Sequence, residues 1–276
     1  MIRLVHQPRA QLDASSQSFV ASACANVAPS LALVMSSSSS SGDAPQGCAC
    51  AIQVGSEKFL LTSSVVASSS SSKIVKVTLP ADNYQERHDA TIVSSSPDVD
   101  LALLSLPAGA SMPPALSLGD SGAVAEGDFV IALGNPTSDL RGGASLGMLS
   151  SRSELPSLAP PPEDGVPPRR PPPGTAEAAM VEAEAEAEAE ALRRGELPFL
   201  VTTAATAEGF MRGGPLLSDD GAVLGINTLV ISAPGESSST TYYSVTAQRA
   251  TRAIDAMLER RSLGKQVGGA ALGSPC

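Results

Sequence analysis

Short apolar runs alternate with clusters of Gly, Pro, Ser and Asp along most of the chain. A first set comprises Leu31 to Met35, Cys50 to Val54, Lys58 to Thr62, Ile74 to Leu79, Ala90 to Val93 and Leu101 to Leu106. A second comprises Phe129 to Leu133, Ala144 to Leu149, Phe199 to Thr203, Pro215 to Leu217, Ala222 to Leu229 and Tyr242 to Val245. Many of these residues are β-branched, and runs this short between turn formers predict strands. Two sets of about six strands predict an all-β fold of two six-stranded antiparallel barrels, because closure removes the edges that would otherwise pair with other chains. Gln248 to Arg261 carries a different period, with Ala250, Ile254, Met257 and Leu258 at helical spacing. That spacing predicts a C-terminal amphipathic helix.

The pattern fails between residues 153 and 197. Leu155 to Pro173 is dominated by proline, which supports neither ladders nor helix interiors. Glu177 to Leu192 alternates Ala with Glu; both favour helix, but glutamates four apart repel one another. A solvated low-complexity insertion is the expectation. The division that follows is an extension over 1–17, a first barrel over 18–113, a second over 114–247 that carries the insertion, a helix over 248–262 and a tail over 263–276.

Composition narrows the function classes. The 276 residues include 24 Gly and 22 Pro, which argues against a helical bundle. The net charge of −10 argues against nucleic acid, whose phosphates need a basic surface. Much of that charge sits in the Glu177 to Glu190 stretch, so it says little about substrates. No apolar run reaches the roughly 18 residues of a membrane helix. Cys24, Cys48, Cys50 and Cys276 have no disulfide-framework spacing, and with only His6 and His88 available no metal constellation is legible. Residues 1–17 lack the apolar core of a secretory signal. The cytoplasm is therefore favoured, with a short chloroplast or mitochondrial presequence as the alternative.

Gly143-Ala144-Ser145-Leu146-Gly147 fits G-x-S-x-G. That motif needs a strand-to-helix elbow and a later histidine, and neither follows here. A second constellation is more specific. Leu61-Thr62-Ser63-Ser64-Val65-Val66 precedes Asp98-Val99-Asp100-Leu101-Ala102-Leu103-Leu104. Leu116-Ser117-Leu118-Gly119-Asp120-Ser121, Gly127-Asp128-Phe129-Val130 and Leu133-Gly134-Asn135-Pro136 come next. Arg212-Gly213-Gly214-Pro215-Leu216 and Val223-Leu224-Gly225-Ile226-Asn227-Thr228 complete the series. In order and spacing these resemble the protease domain of the HtrA/Deg family of trypsin-like serine proteases, over about Phe19 to Arg261. The resemblance implies a chymotrypsin-like double barrel with its site between the barrels and no cofactor. No sequence resembling that family's PDZ module follows Arg261.

The family's chemistry uses His, Asp and Ser in that chain order. The resemblance puts Ser64 where the histidine belongs, retains Asp100, and puts Arg212 where the nucleophilic serine belongs. It makes Phe210, Met211 and Arg212 the oxyanion loop, and Gly213, Gly214, Gly225, Ile226 and Asn227 the candidates for the cleft and specificity pocket. A hydroxyl has no proton-accepting group of suitable pKa, and a guanidinium stays protonated. Phe210 also stands where the family's glycine has backbone freedom. His88 reads as an exposed surface residue, and Cys48 and Cys50 as small buried ones. Asp100 reads equally as a structural acceptor at a strand end.

The leading expectation is a pseudoprotease that binds a peptide or protein partner. An active endopeptidase with a differently aligned triad and a structural subunit of an assembly are the alternatives. The gap left by the imidazole raises one geometric expectation, that Arg212 crosses it to pair with Asp100. An Arg212 swung into solvent or toward Glu208 is the other.

Overall fold

Leu31–Met35 is five apolar residues in succession, and it forms a strand, β1, buried along its whole length. With β2 (Pro45–Val54), β3 (Glu57–Thr62), β4 (Ile74–Thr78), β5 (Arg87–Ser96) and β6 (Leu101–Ser105) it closes a barrel in the order β1-β2-β3-β6-β5-β4. A second barrel is built from β7 (Phe129–Leu133), β8 (Ala144–Ser153), β9 (Phe199–Thr202), β10 (Pro215–Ser218), β11 (Val223–Ser232) and β12 (Thr240–Thr246). Its order is β10-β11-β12-β9-β8-β7, and every pairing in both barrels is antiparallel. The computed structural model describes residues 14–35, 45–68, 73–134, 143–153, 175, 199–206, 211–232 and 240–270.

The two-barrel expectation holds strand for strand, and several strands run beyond their apolar cores. In β5, Arg87, His88 and Asp89 continue the ladder opposite Thr78, Val77 and Lys76, because backbone pairing does not require apolar side chains. The first barrel is filled from all six strands, largely by Ala and Val such as Ala32, Ala49, Val77 and Ala102, with Leu60, Leu79 and Leu104 as the large members. Small residues suit a tight barrel interior.

A larger cluster holds the two barrels together. Ile52, Leu61 and Leu101 of the first barrel meet Ile131, Leu133, Ile226 and Val245 of the second. Ala250, Ile254 and Met257 of the C-terminal helix, α3 (Ala247–Ala270), join them. Burying each large side chain contributes about 1.5–3 kcal/mol, so the barrels are fastened rather than merely tethered. The linker reinforces the junction: Leu116 N donates to the Ala51 carbonyl and Gly119 N to that of Val223, both at 2.8 Å.

Three features differ from expectation. Residues 14 to 27 form a helix, α1 (Ala14–Val27), which crosses the boundary expected at residue 17 and buries Ala23 and Val27. A five-residue helix, α2 (Ser64–Ser68), follows β3. The C-terminal helix continues to Ala270, past the boundary expected at residue 262. Apart from Ser153, which ends β8, and Thr175, the insertion lies outside the described residues. Among the described residues no helix is long and apolar enough to cross a membrane.

Candidate functional site

On the first-barrel side the site grows from the start of α2. Early N–H groups of a helix have no partner within it, so Val65 N is available, as are the hydroxyls of Ser63 and Ser64. Asp100 supplies the acceptor. It follows a single 3-10 turn, Pro97–Val99, and takes the left-handed conformation at φ 52° and ψ 47°. That conformation costs an L-residue about 1–2 kcal/mol, and Asp is among the few that adopt it readily. The reward is aim. Ser63 Oγ lies 2.7 and 2.8 Å from the two carboxylate oxygens, Ser64 Oγ donates to Oδ1 at 2.8 Å and Val65 N to Oδ1 at 3.0 Å. Asp100 is only 4% exposed, and these donors compensate a carboxylate that would otherwise be costly to bury.

On the second-barrel side the turn from Met211 to Gly214 leads into β10. The Arg212 carbonyl accepts from Cys48 N of β2 at 2.8 Å, a backbone bond between the barrels. Gly213 has φ +82°, and a Cβ there would lie 2.2 Å from the Cys48 carbonyl and 2.4 Å from Thr62 Oγ1. Only glycine fits. Gly47 faces the same turn, its Cβ position 2.7 Å from the Arg212 carbonyl.

The guanidinium of Arg212 does not cross to Asp100. Arg212 Nε donates to the Thr228 carbonyl at 2.5 Å, and Asp100 takes its bonds from Ser63, Ser64 and Val65. Two circumstances account for this correction. Asp100 is already supplied with short neutral donors, and Thr228 lies where the β11–β12 register shifts, between Asn227 and Val230, leaving its carbonyl an open acceptor. Ser63 and Thr228 were both missed in the sequence. The paired serines ahead of a helix start were a signal for the first; nothing announced the second.

The cleft candidates are brought together as a buried wall. Gly213, Gly214, Gly225, Ile226 and Asn227 are all buried. Gly213 N donates to the Asn227 carbonyl at 2.7 Å and Asn227 N to that of Gly214 at 2.8 Å. The Asn227 side chain donates to the Pro215 carbonyl at 3.2 Å and accepts from Ser244 Oγ at 2.9 Å. Met211 is buried against Gly134, and Phe210 lies outside the described residues. Gly143 to Gly147 enters and follows β8 with no strand-to-helix elbow.

Cys48 and Cys50 are buried, and Cys50 Sγ contacts the Gly213 carbonyl at 3.5 Å. Burial, and secondarily the neighbouring Cys48, push the Cys50 thiol well above its ordinary range, the opposite of an activated nucleophile. His88 departs from expectation: it is half-buried, with Nε2 2.8 Å from Asp82 Oδ2. The αL residues Asn83 and Tyr84 turn the chain back after Asp82. Asp82, Glu86 and His88 thereby gather ligand atoms within 4.8 Å of one another, the grouping among the described residues that could accept a cation. The sequence, with its expectation of no metal constellation, did not disclose this trio.

Residues 48–226 match the family model of the trypsin-like peptidase domain. The chain is 27% identical over 150 residues to a probable periplasmic serine endoprotease DegP-like of Chlamydia pneumoniae, covering 54% of this chain and 23% of that protein. It is 28% identical over 146 residues to serine protease HTRA1 of Xenopus laevis, covering 53% and 24%. The chain thus spans about a quarter of the length of these curated relatives. The structure of the HtrA-type protease AlgW with a tripeptide superposes with a TM-score of 0.59 at 22% identity, covering 87% of this chain and 64% of that one. AlgW with a decapeptide gives 0.57 at 21%, covering 87% and 67%. With two closed six-stranded barrels, a C-terminal helix and a family match over residues 48–226, the chain belongs to the trypsin-like peptidase domain family.

Proposed function

We propose that this domain keeps the protease architecture without triad hydrolysis and acts by binding a peptide or protein at the seam between its barrels. The observation that carries the reading is the pairing at Asp100: two serine hydroxyls and a backbone N–H occupy the carboxylate that an imidazole would need. A hydroxyl at Ser64 supplies no base, and Arg212, fixed to the Thr228 carbonyl, supplies no nucleophile. Loss of base or nucleophile lowers kcat by on the order of 10⁶ in a serine protease. The HtrA-type protease AlgW has been solved with a tripeptide and with a decapeptide, which supports a peptide as the ligand class here.

The test combines a fluorophosphonate probe with casein digestion. Neither labelling nor cleavage is expected from the purified chain. Labelling that persists in Arg212→Ala identifies a different nucleophile and ends the proposal. Ser64→His with Arg212→Ser should restore at most weak hydrolysis, because Phe210 still stands where the family has a glycine in the oxyanion loop.

A further inference from the structure

The end of the second barrel opposite Gly214 carries a surface that the proposed cleft does not use. β7 runs from Leu133, whose carbonyl abuts Gly214, to Phe129 at the far end, and β10 ends beside it at Ser218. Between the entry to β7 and the β10–β11 turn lies a cavity of about 450 Å³. Asp120, Asp128, Asp219 and Asp220 line it, together with Phe129 and Leu224.

Phe129 is 53% exposed and pairs directly with Met148, which is 45% exposed, while Leu146 on the same strand is 48% exposed. These make up three of the five exposed large hydrophobic residues among the described residues. Gathering them on two adjacent strands makes a patch of the kind that marks a protein contact.

None of the four aspartates forms an ion pair among the described residues. Asp120 Oδ1 accepts from Gly122 N and from the Gln248 side chain, and Asp128 Oδ2 from Ala125 N. Asp220 accepts from Ser218 Oγ and from Ala222 N, bonds that hold its carboxyl below the ordinary range and keep it ionised. The nearby cation Arg152 is turned to the carbonyls of Ser121 and Val124, both at 2.6 Å, and braces the wall rather than neutralising it. Four like charges around one concavity focus a negative potential. The apolar members exclude a bare cation as the fitting ligand, since they contribute nothing to it.

We propose that this end of the second barrel docks a basic polypeptide segment carrying large apolar side chains, an Arg or Lys entering the aspartate-lined cavity while its apolar neighbours cover Phe129, Met148 and Leu146. The surface is independent of the cleft, so its failure leaves the cleft reading intact.

The experiment is fluorescence anisotropy with a labelled peptide of sequence glycine-leucine-arginine-arginine-leucine-lysine-glycine, alongside a counterpart with glutamate at the three basic positions. The full chain should bind the basic probe and not the acidic one, and binding should weaken as salt screens the surface charges. Asp219→Asn with Asp220→Asn, and separately Phe129→Ser, should each weaken binding about tenfold, the size of a change in one good contact. All three side chains are on the surface, and circular dichroism melts should confirm that the variants fold. Equal binding of both probes, or binding unchanged in these variants, overturns the proposal. So does a concentration-dependent dimer that Phe129→Ser abolishes in the absence of probe binding, which makes a second copy the occupant. Probe binding that appears only after deletion of residues 1–12 overturns it too, in favour of the chain's own Arg3- and Arg9-containing segment.

Discussion

On the first-barrel side of the seam the interactions are made by side chains. Ser63 and Ser64 hold Asp100 through their hydroxyls, and the backbone enters only at Val65 N. On the second-barrel side the turn that meets the first barrel is held by backbone. The Arg212 carbonyl receives Cys48 N, Gly213 N reaches the Asn227 carbonyl, and the Arg212 side chain turns away from both. The contrast teaches what a change of chemistry can alter in such a site. A side chain that meets its partner through an acceptor can be exchanged for any donor that satisfies it. A turn that carries the contact between two barrels through its own peptide groups cannot move, whatever side chain it bears.

The largest effect should therefore come from the backbone side. Gly213→Val forces a Cβ to within 2.2 Å of the Cys48 carbonyl at a φ of +82°. A loss of about 4 kcal/mol or more, or no folded protein, is expected from strain and overpacking together. Urea denaturation measures it. A loss under about 1 kcal/mol would mean the turn yields, and the contrast would collapse.

Next comes the acceptor on the side-chain half. Asp100→Ala leaves two hydroxyls and Val65 N without their shared partner, at a cost of about 3 kcal/mol. Asp100→Asn keeps the left-handed conformation and one acceptor oxygen, and about 1–2 kcal/mol is expected. Equal losses in the two variants would show that the turn conformation, and not the hydrogen bonds, carries the effect.

A smaller effect reports on the packing between the halves. Cys50 touches the Gly213 carbonyl, and burial raises its thiol pKa. An acid whose folded pKa is raised adds stability below its unfolded pKa, about 8.5 for a thiol, and that stability is lost as pH rises through the folded value. Stability should thus decline above about pH 8.5, and iodoacetamide mapping at pH 9 should leave Cys50 unmodified until denaturant is added. Rapid native labelling would mean that the junction opens.

The barrels were legible because β-branched runs between turn formers carry their own signal, as in Phe129–Leu133, which matches its strand residue for residue. The motif around Asp100 was legible as a sequence feature, but the serine hydroxyls that its carboxylate accepts from were not. Other features depend on contacts that no local pattern encodes. α1 has small residues without a marked apolar stripe and is held by Ala23 and Val27 against the core. The His88 pair depends on Tyr84 adopting φ 62°, which a tyrosine does not advertise. The direction of Arg212 depends on a register shift in a neighbouring strand pair.

That last point yields the smallest expected effect and the sharpest test of the contrast. A guanidinium crossing to Asp100 would couple the two halves through side chains, so that Arg212→Ala would cost less once Asp100 had been changed to Asn. The observed partner is the Thr228 carbonyl, and Arg212 is half-buried with Nε committed there. Arg212→Ala should cost about 1 kcal/mol, the net worth of one hydrogen bond and some packed methylenes. The cost should be the same within about 0.5 kcal/mol in the Asp100→Asn background, as for sites that share no partner. A coupling above about 1 kcal/mol in the double-mutant cycle would show that the halves communicate through their side chains in solution. The division between a side-chain half and a backbone half would then fail at the residue where it is easiest to measure.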